Sequence, residues 1–245
     1  MYREKIKVLD CSIRDGGLIN DWHFEKQFVK SVFNALSESG IDYMEIGYKA
    51  SKKIFSTKQF GKWKFCDEED IRDVYEETDM KLSLMVDIDR IDLSEIPEKK
   101  DSVVDMIRVA AYVQDVDKAI ALVNGIMDKG YETTVNIMAV SHALERDLDE
   151  ALAQLEKESK VPVVYIVDSF GALYCEQIEY LVKKYRKLMK SKEIGIHAHN
   201  NQQLGFSNTI EGIIHGANYL DASIFGIGRG AGNCPLELLL GFLKN

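Results

Sequence analysis

Ile194-Gly195-Ile196-His197-Ala198-His199-Asn200 reads as a β-strand whose two faces carry different chemistry. Side chains alternate across a strand, so His197 and His199 share one face while Ile194, Ile196 and Ala198 share the other. The apolar face packs against neighbouring structure. The other face ends in two imidazoles, the commonest protein metal ligands. What sheet this strand belongs to, and what else reaches its end, decides the fold.

Apolar, often β-branched runs recur at 6–10, 43–47, 82–86, 104–110, 133–139, 163–168, 194–199 and 220–224. Between them, 25–37, 67–77, 115–129, 148–157, 175–190 and 204–215 have the apolar spacing of amphipathic helices, and 236–243 closes the chain as a last helix. Residues 93–101 read as a short helix or a loop with a single turn. Eight strands alternating with helices predict a parallel sheet closed into a (β/α)8 TIM barrel, an α/β single domain over 1–245. An open doubly wound sheet would carry a Gly-rich phosphate turn after its first strand. Here that turn is Arg14-Asp15-Gly16-Gly17, without the required spacing.

Composition agrees with one cytoplasmic domain. The chain has 245 residues and only three prolines, with no linker-like run. The net charge of -9 excludes general nucleic-acid binding. No segment is long and apolar enough for a membrane span, and Met1-Tyr2-Arg3-Glu4-Lys5 shows no apolar leader. Cys11, Cys66, Cys175 and Cys234 form no C-x-x-C pair and read as reduced thiols, Cys234 as a packed one.

In a barrel, strand C-terminal ends converge on one mouth. Those ends supply Arg14 and Asp15, Glu45 and Tyr48, Asp87 and Asp89, Arg108, Ser141 and His142, Asp168 and Ser169, His197 and His199, then Arg229 and Asn233. Polar groups ending apolar strands need partners, and a metal with an anionic substrate would provide them. His142 and His215 read as hydrogen-bonded structural residues. Asp15 is the natural third ligand to His197 and His199, with a turn cap as its competing role.

These residues resemble a known family. Leu9-Asp10-Cys11-Ser12-Ile13-Arg14-Asp15-Gly16-Gly17 looks like the first-strand signature of the DRE-TIM metallolyase (HMG-CoA-lyase-like) superfamily, His197-Ala198-His199-Asn200 like its second, and 226–233 like its glycine-rich loop. The nearest pattern is the 4-hydroxy-2-oxovalerate aldolase catalytic barrel, which 107–110, 140–142, 165–169 and 231–237 also resemble. The resemblance implies a divalent cation, Mn or Mg with Zn as an alternative, on Asp15, His197 and His199, with Asn233 joining them. It implies that Arg14 and Ser169 contact a 2-oxo acid; the polar residues at the strand ends add Glu45, Tyr48, Arg108 and Arg229 as substrate-binding candidates.

The chemistry implied is a metal-stabilised enolate of a pyruvate-type 2-oxo acid, with a carbon–carbon bond made to or broken from an aldehyde. An acyl-CoA-dependent Claisen-type lyase and a non-catalytic metal-binding barrel serving as a partner subunit are the competing classes. Two departures from the aldolases stand out. Their catalytic histidine two residues after the R-D-G glycine is Leu18 here, which leaves His23 as the substitute base, or else Tyr48, Glu45 or a metal-bound hydroxide. The chain also stops soon after its last helix, without the C-terminal extension through which those aldolases pair with an aldehyde dehydrogenase. Barrels of this kind often pair as homodimers, and nothing in the sequence locates an interface. Residues 49–64 hold Lys49, Lys52, Lys53, Lys58, Lys62 and Lys64 with no acidic residue. They read as a solvated loop or as a lid that captures an anionic substrate.

Overall fold

A computed structural model describes residues 6–244; the leader-free reading of Met1–Lys5 falls outside them. Eight parallel strands close into a barrel in sequence order: β1 (Lys7–Asp10), β2 (Tyr43–Tyr48), β3 (Lys81–Asp87), β4 (Met106–Ala111), β5 (Glu132–Ile137), β6 (Val163–Asp168), β7 (Glu193–Ala198) and β8 (Tyr219–Ala222). β8 pairs back onto β1, which removes both sheet edges. The helices are α1 (Ser12–Asn20), α2 (Lys26–Ser39), α3 (Glu68–Arg72), α4 (Val116–Asp128), α5 (Glu145–Glu158), α6 (Cys175–Leu188), α7 (Gly205–His215) and α8 (Leu236–Lys244). No helix among the described residues is long and apolar enough to cross a membrane.

Three local departures from the sequence reading have physical causes. The Arg14–Gly17 turn is part of helix α1. The Asp10 carboxylate starts that helix by accepting the Ser12 backbone N–H at 2.9 Å and its hydroxyl at 2.6 Å. The glycine at 17 is needed because the Trp22 indole lies where a side chain would be. The predicted helix over 67–77 shortens to Glu68–Arg72, since Glu76, Glu77 and Asp79 would crowd the negative end of a longer one. Residues 93–101 make two short 3-10 turns, Leu93–Glu95 and Lys99–Asp101, separated by Pro97.

The large apolar core lies between the sheet and the helices. The barrel interior is apolar at one end, with Leu9, Tyr43 and Met106 packed around Tyr219, and polar toward the other. A register slip on β2 decides which side chains point in. Glu45 pairs with Ser83, but Gly47 pairs with Leu84 and Tyr48 with Met85. This bulge turns both Glu45 and Tyr48 inward although they are three residues apart. On β7, a Cβ at Gly195 would sit 2.5 Å from the Tyr165 ring. The glycine therefore lets Tyr165 lie across the barrel, where it stacks under the Arg108 guanidinium at 4.3 Å.

Gly195→Ala should cost about 1–3 kcal/mol in urea unfolding, the range for overpacking a filled core. A second prediction concerns pH. Burial lifts the Asp10 carboxyl to about 7, against the bonds from Ser12 that lower it. Its unfolded value is about 3.9. The folded chain thus keeps a proton that the unfolded chain loses, so this group's stabilisation falls as pH rises from about 4 to about 7 and then levels. Asp10→Asn does not titrate, so its Tm should gain on the wild type between pH 5 and pH 8. Parallel Tm curves would contradict this.

Candidate metal centre

Asp15 in the first turn of α1, His197 in β7 and His199 just past its end converge at the C-terminal mouth of the barrel. All three are buried, and one donor atom from each lies within 4.8 Å of the others. The local partners select which nitrogen each imidazole presents. His197 Nδ1 faces Asp221 Oδ2 at 2.9 Å, and His199 Nδ1 faces the Gly232 carbonyl at 3.1 Å. Both partners accept, so each Nδ1 carries hydrogen and each Nε2 keeps its lone pair. Burial, aided by His197, pushes the His199 imidazole down to about 4, so it is neutral at pH 7.

Asp15 is prepared in the opposite sense. Burial alone would raise its carboxyl, but the Arg14 guanidinium at 2.5 Å overrides it and holds Asp15 well below the usual carboxylate range. The other carboxylate oxygen accepts Asn233 Nδ2 at 2.8 Å and the Arg229 backbone N–H at 3.1 Å. The backbones of Asn233 and His199 pair as an isolated antiparallel β-bridge. Asn233 Oδ1 is buried and has no partner among the described residues. Two imidazoles, an ionised carboxylate and an orphaned amide oxygen are the donors a divalent cation takes, with positions left open for substrate. The residues present fit such an ion.

A chain of buried charges underlies the site. Arg14 Nε donates to Glu45 Oε2 at 2.6 Å, and Arg108 lies 3.1 Å from the same oxygen. Arg108 also donates to Asp221 Oδ2 at 2.7 Å, the atom that faces His197. The series Asp15, Arg14, Glu45, Arg108, Asp221 alternates in sign and ends against His197, so a metal-capable residue stands at each end.

Above it opens a cavity of about 400 Å³, lined by Arg14, Asp15, Leu18, Tyr48, Asp87, Ser169, His197, His199 and Arg229 among others. Ser169 Oγ accepts the Ala139 N–H at 2.8 Å, and the Arg229 side chain donates to the Ser169 carbonyl. The structure sets several of the candidate residues apart from the cavity. Glu45 and Arg108 are wholly buried beneath the cavity and do not line it, so they support the site rather than contact substrate. His23 is exposed and its Nε2 meets the Gln59 carbonyl at 3.0 Å, outside the cavity. Nor do the lysines of 49–64 line the cavity. Lys49 and Lys52 pair with Asp67, Lys53 with Glu95 and Lys62 with Asp70, which spends their charge locally. Asp221 was missed; an acid inside the short apolar strand Tyr219–Ala222 was the available signal.

Residues 5–245 match the HMGL-like family model. The chain belongs to the HMGL-like family. Among curated HMGL-like relatives, it is 28% identical over 246 residues to the oxaloacetate decarboxylase of Mycobacterium tuberculosis, covering 99% of this chain and 71% of that protein. It is 29% identical over 237 residues to the 4-hydroxy-2-oxovalerate aldolase of Thermus thermophilus, covering 96% and 68%. Of solved structures, the N-terminal domain of a Bacteroides vulgatus protein provisionally assigned as an aldolase superposes with a TM-score of 0.84 at 32% identity, over 98% of this chain and 80% of that one. The HMG-CoA lyase of Bacillus subtilis superposes with a TM-score of 0.82 at 15% identity, over 99% and 87%, a likeness of fold. As an HMGL-like protein with such relatives, the chain is a carbon–carbon lyase of a divalent-metal-dependent family.

Asp221→Asn should weaken Mn²⁺ binding by calorimetry about 10- to 100-fold, the usual cost of losing the partner that orients a ligand imidazole. Unchanged affinity would show that the charge chain does not position His197.

Proposed function

We propose that this barrel makes or breaks a carbon–carbon bond beside a pyruvate-type 2-oxo acid, with an aldehyde as the second reactant in the aldol direction. Residues 1–245 form its catalytic domain. Asp15, His197, His199 and Asn233 would hold the cation. Mn²⁺ or Mg²⁺ suits a set with a carboxylate and an amide oxygen, and Zn²⁺ is the alternative that two imidazoles allow. When bound, the cation supplies Lewis-acid polarisation of the oxo acid's oxygens.

The observation that carries this reading is the state of Arg14. Its Nε is committed to Glu45 and one terminal nitrogen to Asp15. The other terminal nitrogen has no protein partner among the described residues, and Arg14 lines the cavity beside the three metal-capable side chains. A fixed guanidinium with an uncommitted terminal nitrogen stabilises negative charge as it develops, without reorganising. Ser169 accepts through its oxygen, so its hydroxyl hydrogen can be given to a substrate carboxylate. Arg229 adds positive charge at the rim. Burial, with the Asp87 charge, keeps the Tyr48 hydroxyl protonated, a further donor.

Loss of CO2 from oxaloacetate and cleavage of a 4-hydroxy-2-oxo acid both leave the electron pair of the broken bond on C3, as the enolate of pyruvate. One set of donors therefore serves the chemistry of both relatives' names. The test uses pyruvate in D2O with the Mg²⁺- or Mn²⁺-loaded protein. The methyl protons should exchange, exchange should stop on chelation, and Arg14→Lys should slow it about 100-fold or more. Absence of exchange with both metals would overturn the oxo-acid reading in favour of an acyl-CoA substrate or a non-catalytic barrel.

A further inference from the structure

Aldol cleavage of a 4-hydroxy-2-oxo acid moves a proton from the hydroxyl to C3, and a group in the cavity must carry it. Leu18 has no proton to exchange, and His23 faces away. Of the titratable groups lining the cavity, Arg14, Arg90 and Arg229 stay cationic. Asp15, His197 and His199 are the metal donors. The Tyr48 hydroxyl is held protonated. Asp89 is exposed and bonded to Lys118 at 2.6 Å, and Asp115 lies 3.5 Å from the same ammonium. Asp87 is left.

Asp87 ends β3 on the same inward face as Met85, two residues earlier, and both line the cavity. Among the described residues its carboxylate has no hydrogen-bond or ion-pair partner, unlike the acids of the charge chain below. We propose that Asp87 is the catalytic proton carrier of this site. This rests on the oxo-acid reading. Its carboxylate takes the C4 hydroxyl proton; the C3–C4 bond breaks, its electrons pass to the enolate, and the C4–O bond becomes the aldehyde carbonyl. The protonated Asp87 then gives that proton to C3, leaving pyruvate and the original carboxylate.

Its surroundings suit the task. Burial raises the Asp87 carboxyl, while Lys64, Arg14 and Arg90 hold it back and Glu45 adds to the rise. Lys64 is the unusual member of this set. Its ammonium lies 4.1 Å from the Tyr48 ring, 4.2 Å from Trp22 and 4.8 Å from Phe55. Fixed over aromatic faces, it presents positive charge toward Asp87 without occupying the carboxylate.

The experiment follows pyruvate methyl exchange in D2O with Mg²⁺-loaded full-length protein, comparing wild type, Asp87→Asn and Asp87→Glu. Asp87→Asn should lose at least 100-fold in exchange rate, with pyruvate and metal affinities within about threefold of wild type. The wild-type rate should rise with pH through one ionisation that Asp87→Asn lacks. Asp87→Glu should keep measurable exchange with that ionisation. Asp87→Asn exchanging at the wild-type rate, or with the wild-type pH profile, would overturn the assignment of Asp87 while leaving the oxo-acid reading intact. A wild type that does not exchange would overturn both.

Discussion

The structure depends on a line of buried charges through the barrel: Asp15, Arg14, Glu45, Arg108, Asp221 and His197. Three carboxylates, Asp15 among them, against two guanidiniums leave the line with one net negative charge. In a barrel interior such a charge is costly unless something offsets it. Ionic packing of this kind is poor value for stability alone, since well-packed apolar side chains of similar size are often as stable. It makes sense as orientation. Each end of the line fixes a group that a cation needs, the ionised Asp15 at one end and the His197 tautomer at the other.

The same line explains why the mouth is built from distant parts of the chain. The β2 bulge brings Glu45 inward to receive both arginines and Tyr48 inward at the cavity wall. Helix α1 follows β1 directly, so Arg14 and Asp15 lie above the strands rather than in a turn at their edge. The glycine loop of 226–233 folds over Asp15 through the Arg229 N–H and the Asn233 amide. The remaining wall carries Leu18 and the unpartnered Asp87.

Much of this was legible in the sequence. Strand alternation yields the barrel because each strand is apolar on the helix-facing side, and the i, i+2 histidines with Asp15 point to the metal site because strand ends converge. Depth was not legible. Glu45 and Arg108 look like substrate ligands in one dimension because both sit on inward strands, and only the register places them below the cavity. His23 looked available because the sequence does not show that its ring meets the Gln59 carbonyl. Two adjacent glycines suggested a turn at 16–17, whereas Trp22, five residues on, is what calls for the glycine at 17. The lysines of 49–64 resembled a capture surface because their partners, Asp67, Asp70 and Glu95, lie outside the segment.

The central claim is that the buried charges assemble a divalent-cation site at the mouth. Anomalous diffraction at the manganese edge from crystals of the Mn²⁺-loaded protein tests it most directly. The account predicts one strong peak within coordination distance of an Asp15 carboxylate oxygen and the Nε2 atoms of His197 and His199. A peak confined to the outer cluster of Glu179, Glu211 and His215, the other group of metal-capable side chains among the described residues, or no peak at the mouth, would contradict it.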